Sequence, residues 1–130
     1  MKIQSAIFVF IVAFLLNNIW ENIHSLLYAN YQGAAITEYI LLRAAIFDAI
    51  IILFGIFVAQ YFSGFNRMQF LLTFWLFVAI IIEWWALATG RWEYSIAMPL
   101  IPFINIGFTP TVQLLITGEI TDYIVLRKNT

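Results

Sequence analysis

Residues 68–89 read MQFLLTFWLFVAIIIEWWALAT, with a single ionisable side chain, Glu83, in the whole stretch. Roughly 20 apolar residues in a helix cross the ~30 Å hydrocarbon core of a bilayer. A buried strand would be far shorter, and a water-facing helix would carry a polar side. The stretch therefore predicts a membrane span. Working outward, the same test picks out 4–28 and 37–61 upstream and 107–126 downstream, separated at 29–36, 62–67 and 90–106 by segments with Gly, Asn or Pro breakers. The expected fold is all-α, a single domain over 1–130, built as a polytopic integral membrane four-helix bundle. Pro99, Pro102 and Pro110 interrupt the approach to the fourth span. With Pro110 in a first turn, residues 98–104 become a short interfacial or re-entrant piece. The alternative is a kinked helix from Ser95 that leaves 119–130 outside.

Composition agrees. Of 130 residues, 64% are hydrophobic and 10% charged, against roughly 45–50% and about 25% in soluble domains. A core this short could not hide so much apolar surface from water. The first stretch has a signal-peptide-like start, with Lys2 ahead of Ile7 to Leu16. Asn17, Asn18, Trp20 and Glu21 then stand where a small-residue cleavage site belongs, so a retained first helix is expected. Without cysteine and with one histidine, His24, no disulfide, metal centre or cofactor is expected. Net charge is −1 with no run of like charges, so no nucleic-acid partner is expected either. Lys2, Arg67, Arg127 and Lys128 fall at one end of the four spans and Arg91 at the other. The positive-inside rule then places both termini in the cytoplasm, in a multi-pass protein of the cytoplasmic (inner) membrane.

The polar residues inside the spans define a candidate site, because each costs about 2.5–3.5 kcal/mol on insertion scales. Asn17, Glu21, His24 and Tyr28 recur at helical spacing on one stripe of the first span. Asp48 shares a strip with Ala44, Ala45, Gly55 and Ala59, and Glu83 shares one with Ala79, Ala86 and Gly90. Small residues line helix contacts in membranes, so both acids should point inward. At 1.5 Å per residue, Glu21, Arg43 and Glu83 lie roughly 10 Å below the outer end of their helices and Asp48 roughly 16 Å. Gln113 lies just under the same face, and the inner half of the first three spans is apolar. The acids should therefore converge in one outer-leaflet pocket. Glu21, Asp48 and Glu83 are the candidate acids and His24 the proton relay. Asn17, Tyr28, Arg43, Trp84, Arg91, Trp92 and Gln113 are the candidate ligand contacts. The competing structural view makes the acids partners of Arg43 and Arg91 that pin helices together. Glu119 and Asp122 are expected as solvated residues at the inner interface. The string Gly90-Arg91-Trp92-Glu93-Tyr94 is expected to form either an ordered cap or a lid over the pocket.

Trp20-Glu21, Asp48 and the run from Gly90-Arg91-Trp92-Glu93-Tyr94 through Met98-Pro99 and Pro110 to Gln113 resemble a family of small bacterial four-span proteins without an assigned activity. More distantly, the Trp-Glu pair and intramembrane acids are similar to membrane-bound terpenoid cyclases and heterodimeric lycopene cyclases. That resemblance implies carboxylates that protonate an isoprenoid. Gly90, Trp92, Tyr94, Gly107 and Pro110 are compatible with the lycopene cyclase half-domain, but Thr111-Val112-Gln113 stand where its paired glutamates belong. The small multidrug transporter pattern does not fit, since its loop signature is absent and Glu21 comes late in its helix. The leading expectation is a pocket that binds, and performs acid–base chemistry on, an amphiphilic or isoprenoid-like molecule drawn from membrane lipid. The rivals are a small transporter or channel that assembles as a homo-oligomer, and a structural subunit of a membrane complex.

Overall fold

A computed structural model describes residues 1–61 and 66–128. Helix α1 covers Ile3–His24, α2 Glu38–Ala59, α3 Arg67–Ala88 and α4 Phe108–Asp122, the last prolonged by one π-helical turn, Tyr123–Arg127. Of the predicted connection 62–67, residues 62–65 lie outside the described residues. Three helices, Ile3–Leu27 (with the 3-10 turn that follows α1), Glu38–Ala59 and Arg67–Ala88, are long and apolar enough to cross a membrane. Their outer faces fit that environment. Ile7, Ile11, Leu15, Ile19 and Ile23, four apart on α1, form one exposed stripe, and Phe47, Phe54, Phe77 and Trp84 do the same for α2 and α3. Thr37 caps α2 by accepting from the Ile40 amide at 3.3 Å, and Asn66 caps α3 by accepting from Met68 at 3.1 Å.

The helices form a closed ring in which α1 packs on α2 and α4, and α3 on α2 and α4. In the half of the bundle nearer the two termini, Val9, Ala13, Ile52, Ile56, Leu71 and Trp75 form a continuous apolar core. Trp75, fully buried, lies between two glycines. A Cβ on Gly55 of α2 would stand 2.7 Å from its indole nitrogen, and one on Gly118 of α4 would stand 2.6 Å from its ring. Both glycines are there to admit the ring.

Three expectations need amendment. The chain is not purely α-helical: β1 (Tyr28–Tyr31) and β2 (Trp92–Tyr94) pair antiparallel, with Tyr28 opposite Tyr94 and Tyr31 opposite Trp92. The first helix gives way at Ser25 to a 3-10 turn, so Tyr28 leaves the helix and enters β1. Finally, α4 does not qualify as a span by its own apolarity. Its 15 residues turn a polar side inward, burying Thr111, Gln113, Thr117, Thr121 and Asp122. A helix that is polar inward and short of apolar length escapes a hydropathy test, although its neighbours bury that polar side. Its start agrees with the interfacial-loop expectation. Residues 98–104 are a loop, turned back by a bridge between Leu100 and Gly107 with Phe103 and Asn105 at positive φ, and Pro110 sits in the first turn of α4.

Asp122 also departs from its expected solvated position. It is buried, bonded to Arg67 at 2.6 Å and to Arg127 at 3.1 Å, and so ties the start of α3 to the end of α4. Glu119 pairs with Arg127 at 2.6 Å.

Candidate functional site

Helices α2 and α3 touch in the half nearer the two termini, where Gly55 meets Phe74 and Trp75. Towards the opposite end a cavity of about 790 Å³ opens between them. Asp48 and Gln113 lie at its floor, with Glu21 and Glu83 on its sides. Apolar walls come from Ile40, Ala44 and Phe47 of α2 and from Ala79 and Ile82 of α3. Tyr28, Tyr31, Gln32 and Trp92, carried by the strand pair and its turns, complete the outer side. The 90–94 string therefore serves as a roof over the cavity. Gly90 makes the sharp exit from α3 at φ 70°, a left-handed conformation that suits glycine. It lets the Arg91 amide bond back to Ala86 at 2.8 Å while the Arg91 carbonyl accepts from Gln32 at 2.7 Å.

Gln113 organises the floor. Its amide nitrogen lies 2.9 Å from each of Asn17 Oδ1, Glu21 Oε1 and Asp48 Oδ2, gathering side chains from α1 and α2 onto α4. An amide NH2 offers two hydrogens, so three acceptors compete for two donors. The carboxyl groups of Glu21 and Asp48 are also within hydrogen-bonding reach of each other. Glu21 bonds through its second oxygen to His24 Nε2 at 3.1 Å, and His24 Nδ1 lies 3.2 Å from the Thr109 hydroxyl. Proton exchange between Glu21 and His24 is therefore geometrically direct.

Glu83 is arranged differently. It is 5% exposed, and its oxygens accept from Tyr28 at 3.3 Å, Trp92 Nε1 at 3.2 Å and Tyr94 at 2.5 Å. All three donors belong to the strand pair, so this carboxyl fastens the roof to α3. Tyr94 in turn accepts from the Gly107 amide at 3.0 Å, which ties the start of α4 to the same point. Burial, followed by the Glu83 carboxylate, holds the phenols of Tyr28 and Tyr94 above their ordinary range, so both remain donors.

The structure thus brings Glu21, Asp48, Glu83, Tyr28, Arg43, Arg91, Trp92 and Gln113 around one cavity. Asn17 lies behind it, fully buried against Gln113 and Thr117. His24 is displaced from the expected site. It lines a second, almost wholly apolar cavity of about 620 Å³ between α1 and α4, and meets the acid cavity through its bond to Glu21 and its edge-on contact with Tyr28. Trp84 is a correction: it faces outward at 66% exposure, and its neighbour Trp85 lines the cavity instead. Neither Arg43 nor Arg91 has a carboxylate partner among the described residues. Arg43 bonds to the Tyr31 hydroxyl at 2.6 Å and sits over the Tyr31 and Tyr39 rings, and Arg91 stacks on Trp85 at 4.8 Å. Sequence reasoning missed Tyr31, and it placed Tyr94 in the cap without its bond to Glu83. The alternation of aromatics in Trp92-Glu93-Tyr94 was the available signal, since it is the period of a strand. Among the described residues no group of three acidic or histidine side chains is disposed to hold a metal ion. No family model, curated protein or solved structure matches the chain.

Proposed function

We propose that this is a four-span protein of the cytoplasmic membrane, with both termini in the cytoplasm. In this reading its outer cavity binds an amphiphilic, isoprenoid-like molecule, and Asp48 with Glu21 performs acid–base chemistry on it. Asp48 carries the argument. It stands in the middle of an apolar helix, ~15 Å below the first residue of α2, and lines an open cavity. Among the described residues its one N–H donor is an amide shared with two other acceptors, and its other polar neighbour is the Glu21 carboxyl. An acid serving as a staple is held by a cation, as Asp122 is, or by a full set of donors, as Glu83 is in the roof. Asp48 has neither among the described residues, so its cost is best understood as that of a functional group. Glu21 and His24 supply the adjoining proton path, and Glu83 holds the roof. The packed inner half around Trp75 favours binding from the outer side over passage through the bundle.

Mass spectrometry of amphiphiles retained by the gently purified protein tests this. One species should be enriched over bulk lipid and lost from Ala44→Trp, which fills the cavity wall. Asp48→Asn keeps the shape and an acceptor for Gln113. It should leave thermal stability nearly unchanged while altering the ratio of retained species, as expected when one chemical form accumulates. Bulk lipid alone in the wild type, with the same profile in both variants, would refute the reading.

A further inference from the structure

The two cations that line the cavity among the described residues, Arg43 and Arg91, meet the strand pair, Arg43 through its bond to Tyr31, whereas Glu21 and Asp48 gather on Gln113 at the floor and Glu83 is taken up by the roof donors. The two arginines are linked through that roof. Arg43 donates to Tyr31, the Tyr31 ring stacks on Trp92, and Trp92 follows Arg91, whose carbonyl pairs with the amide of Gln32 beside Tyr31. Each guanidinium lies against an aromatic face and has no carboxylate partner among the described residues. Stacking fixes the plane of a guanidinium and leaves its edge free for the forked recognition of an oxyanion. Below them, Ile40, Ala44 and Phe47 of α2 face Ala79 and Ile82 of α3 across an apolar gap, and Phe47 is itself 63% exposed to the surroundings of the bundle.

We propose that Arg43 and Arg91 form a receptor for a phosphate group carried on a hydrocarbon tail. The phosphate sits under the roof edge and the tail leaves sideways between α2 and α3. The ends of the cavity fix the polarity of binding: the two guanidinium groups attract an anionic head, and the floor around Asp48 and Glu21 offers it no cation among the described residues. The tail's first carbons then pass the acid layer, which is where the chemistry proposed above would act. This inference rests on the cavity being a binding site and adds the nature of the head.

The test uses the full-length protein in maltoside micelles, titrated with dioleoyl phosphatidic acid, dioleoylglycerol or inorganic phosphate and read by native mass spectrometry. Phosphatidic acid should be retained in preference to dioleoylglycerol, which has the same tails without the phosphate. Inorganic phosphate in excess should displace little of it. Arg43→Gln and Arg91→Gln should each weaken retention roughly tenfold, as expected for loss of a charge-assisted contact. Lys128→Gln, at the opposite end, should leave it unchanged. Arg43 is exposed, so its variant is expected to fold, and a thermal melt checks both. Retention abolished by Ala44→Trp but untouched by the arginine variants would overturn the phosphate head and leave the cavity standing as a binding site. Retention untouched by Ala44→Trp would overturn both. Ready displacement by inorganic phosphate would assign the arginine pair to a free anion and overturn the tail.

Discussion

Gln113 is a neutral side chain on which two acids and an amide depend. Replacing it by leucine would leave the acceptors of Asn17, Glu21 and Asp48 without their shared donor. A buried polar group stripped of its partner costs about 1–3 kcal/mol. We therefore expect Gln113→Leu to lose about 3 kcal/mol or more of stability, measured by denaturant unfolding in micelles. Asp48→Asn, which keeps an acceptor, should lose far less. The roof tyrosines give a second prediction. Their phenols hold their protons more tightly in the folded state than free tyrosine does near pH 10. That stabilisation is complete below the unfolded value and is lost as pH rises above it towards the folded value. Tyrosinate absorbance should accordingly develop in two stages on alkaline titration, and Tyr94→Phe should diminish the later one. A single stage with all six tyrosines alike would contradict this. At this scale the acids were legible from sequence, because a carboxyl in an apolar span stands out against its neighbours. The distinction between Asp48, short of donors, and Glu83, held by three, was not. Those donors come from segments 55 and about ten residues away, and spacing on one helix says nothing about them.

Among the elements, α4 differs most from its appearance in the sequence. Its buried threonines return their hydroxyls to their own helix, Thr117 to the Gln113 carbonyl at 2.8 Å and Thr121 to the Thr117 carbonyl at 2.7 Å. The stripe they form is thus polar in composition but has little left to offer a passing solute. The helix meets α3 through Gly118, where a methyl group would enter the Trp75 ring. Gly118→Ala should destabilise the protein by about 1–3 kcal/mol, the usual cost of overpacking. Adding Trp75→Phe should recover part of that loss, which would appear as coupling in a double-mutant cycle. Simple additivity would count against the packing argument. The three apolar helices were legible because hydropathy over a full span is a strong signal. The strand pair was not, since its partners lie some sixty residues apart and each is only three or four residues long.

For the molecule as a whole, the proposed orientation rests on charge. Lys2, Arg67, Arg127 and Lys128 cluster at the packed end, and the cavity opens at the other. Reporter fusions at either terminus should be active only in the cytoplasm, and a C-terminal fusion active only outside would reverse the assignment. The roof has a further consequence, one of timing. Tyr28 to Tyr31 leaves the ribosome while its partner, Trp92 to Tyr94, has yet to be made, with two of the apolar helices still to be inserted between them. Contacts of such long sequence separation close late. During biogenesis the helices can therefore be in place while the cavity above Asp48 is still unroofed, and the last pairing to form is the one that shapes that cavity. Translation arrested before residue 92 should yield an inserted intermediate whose 28–36 segment is cut by protease added from outside, and release of the full chain should protect it.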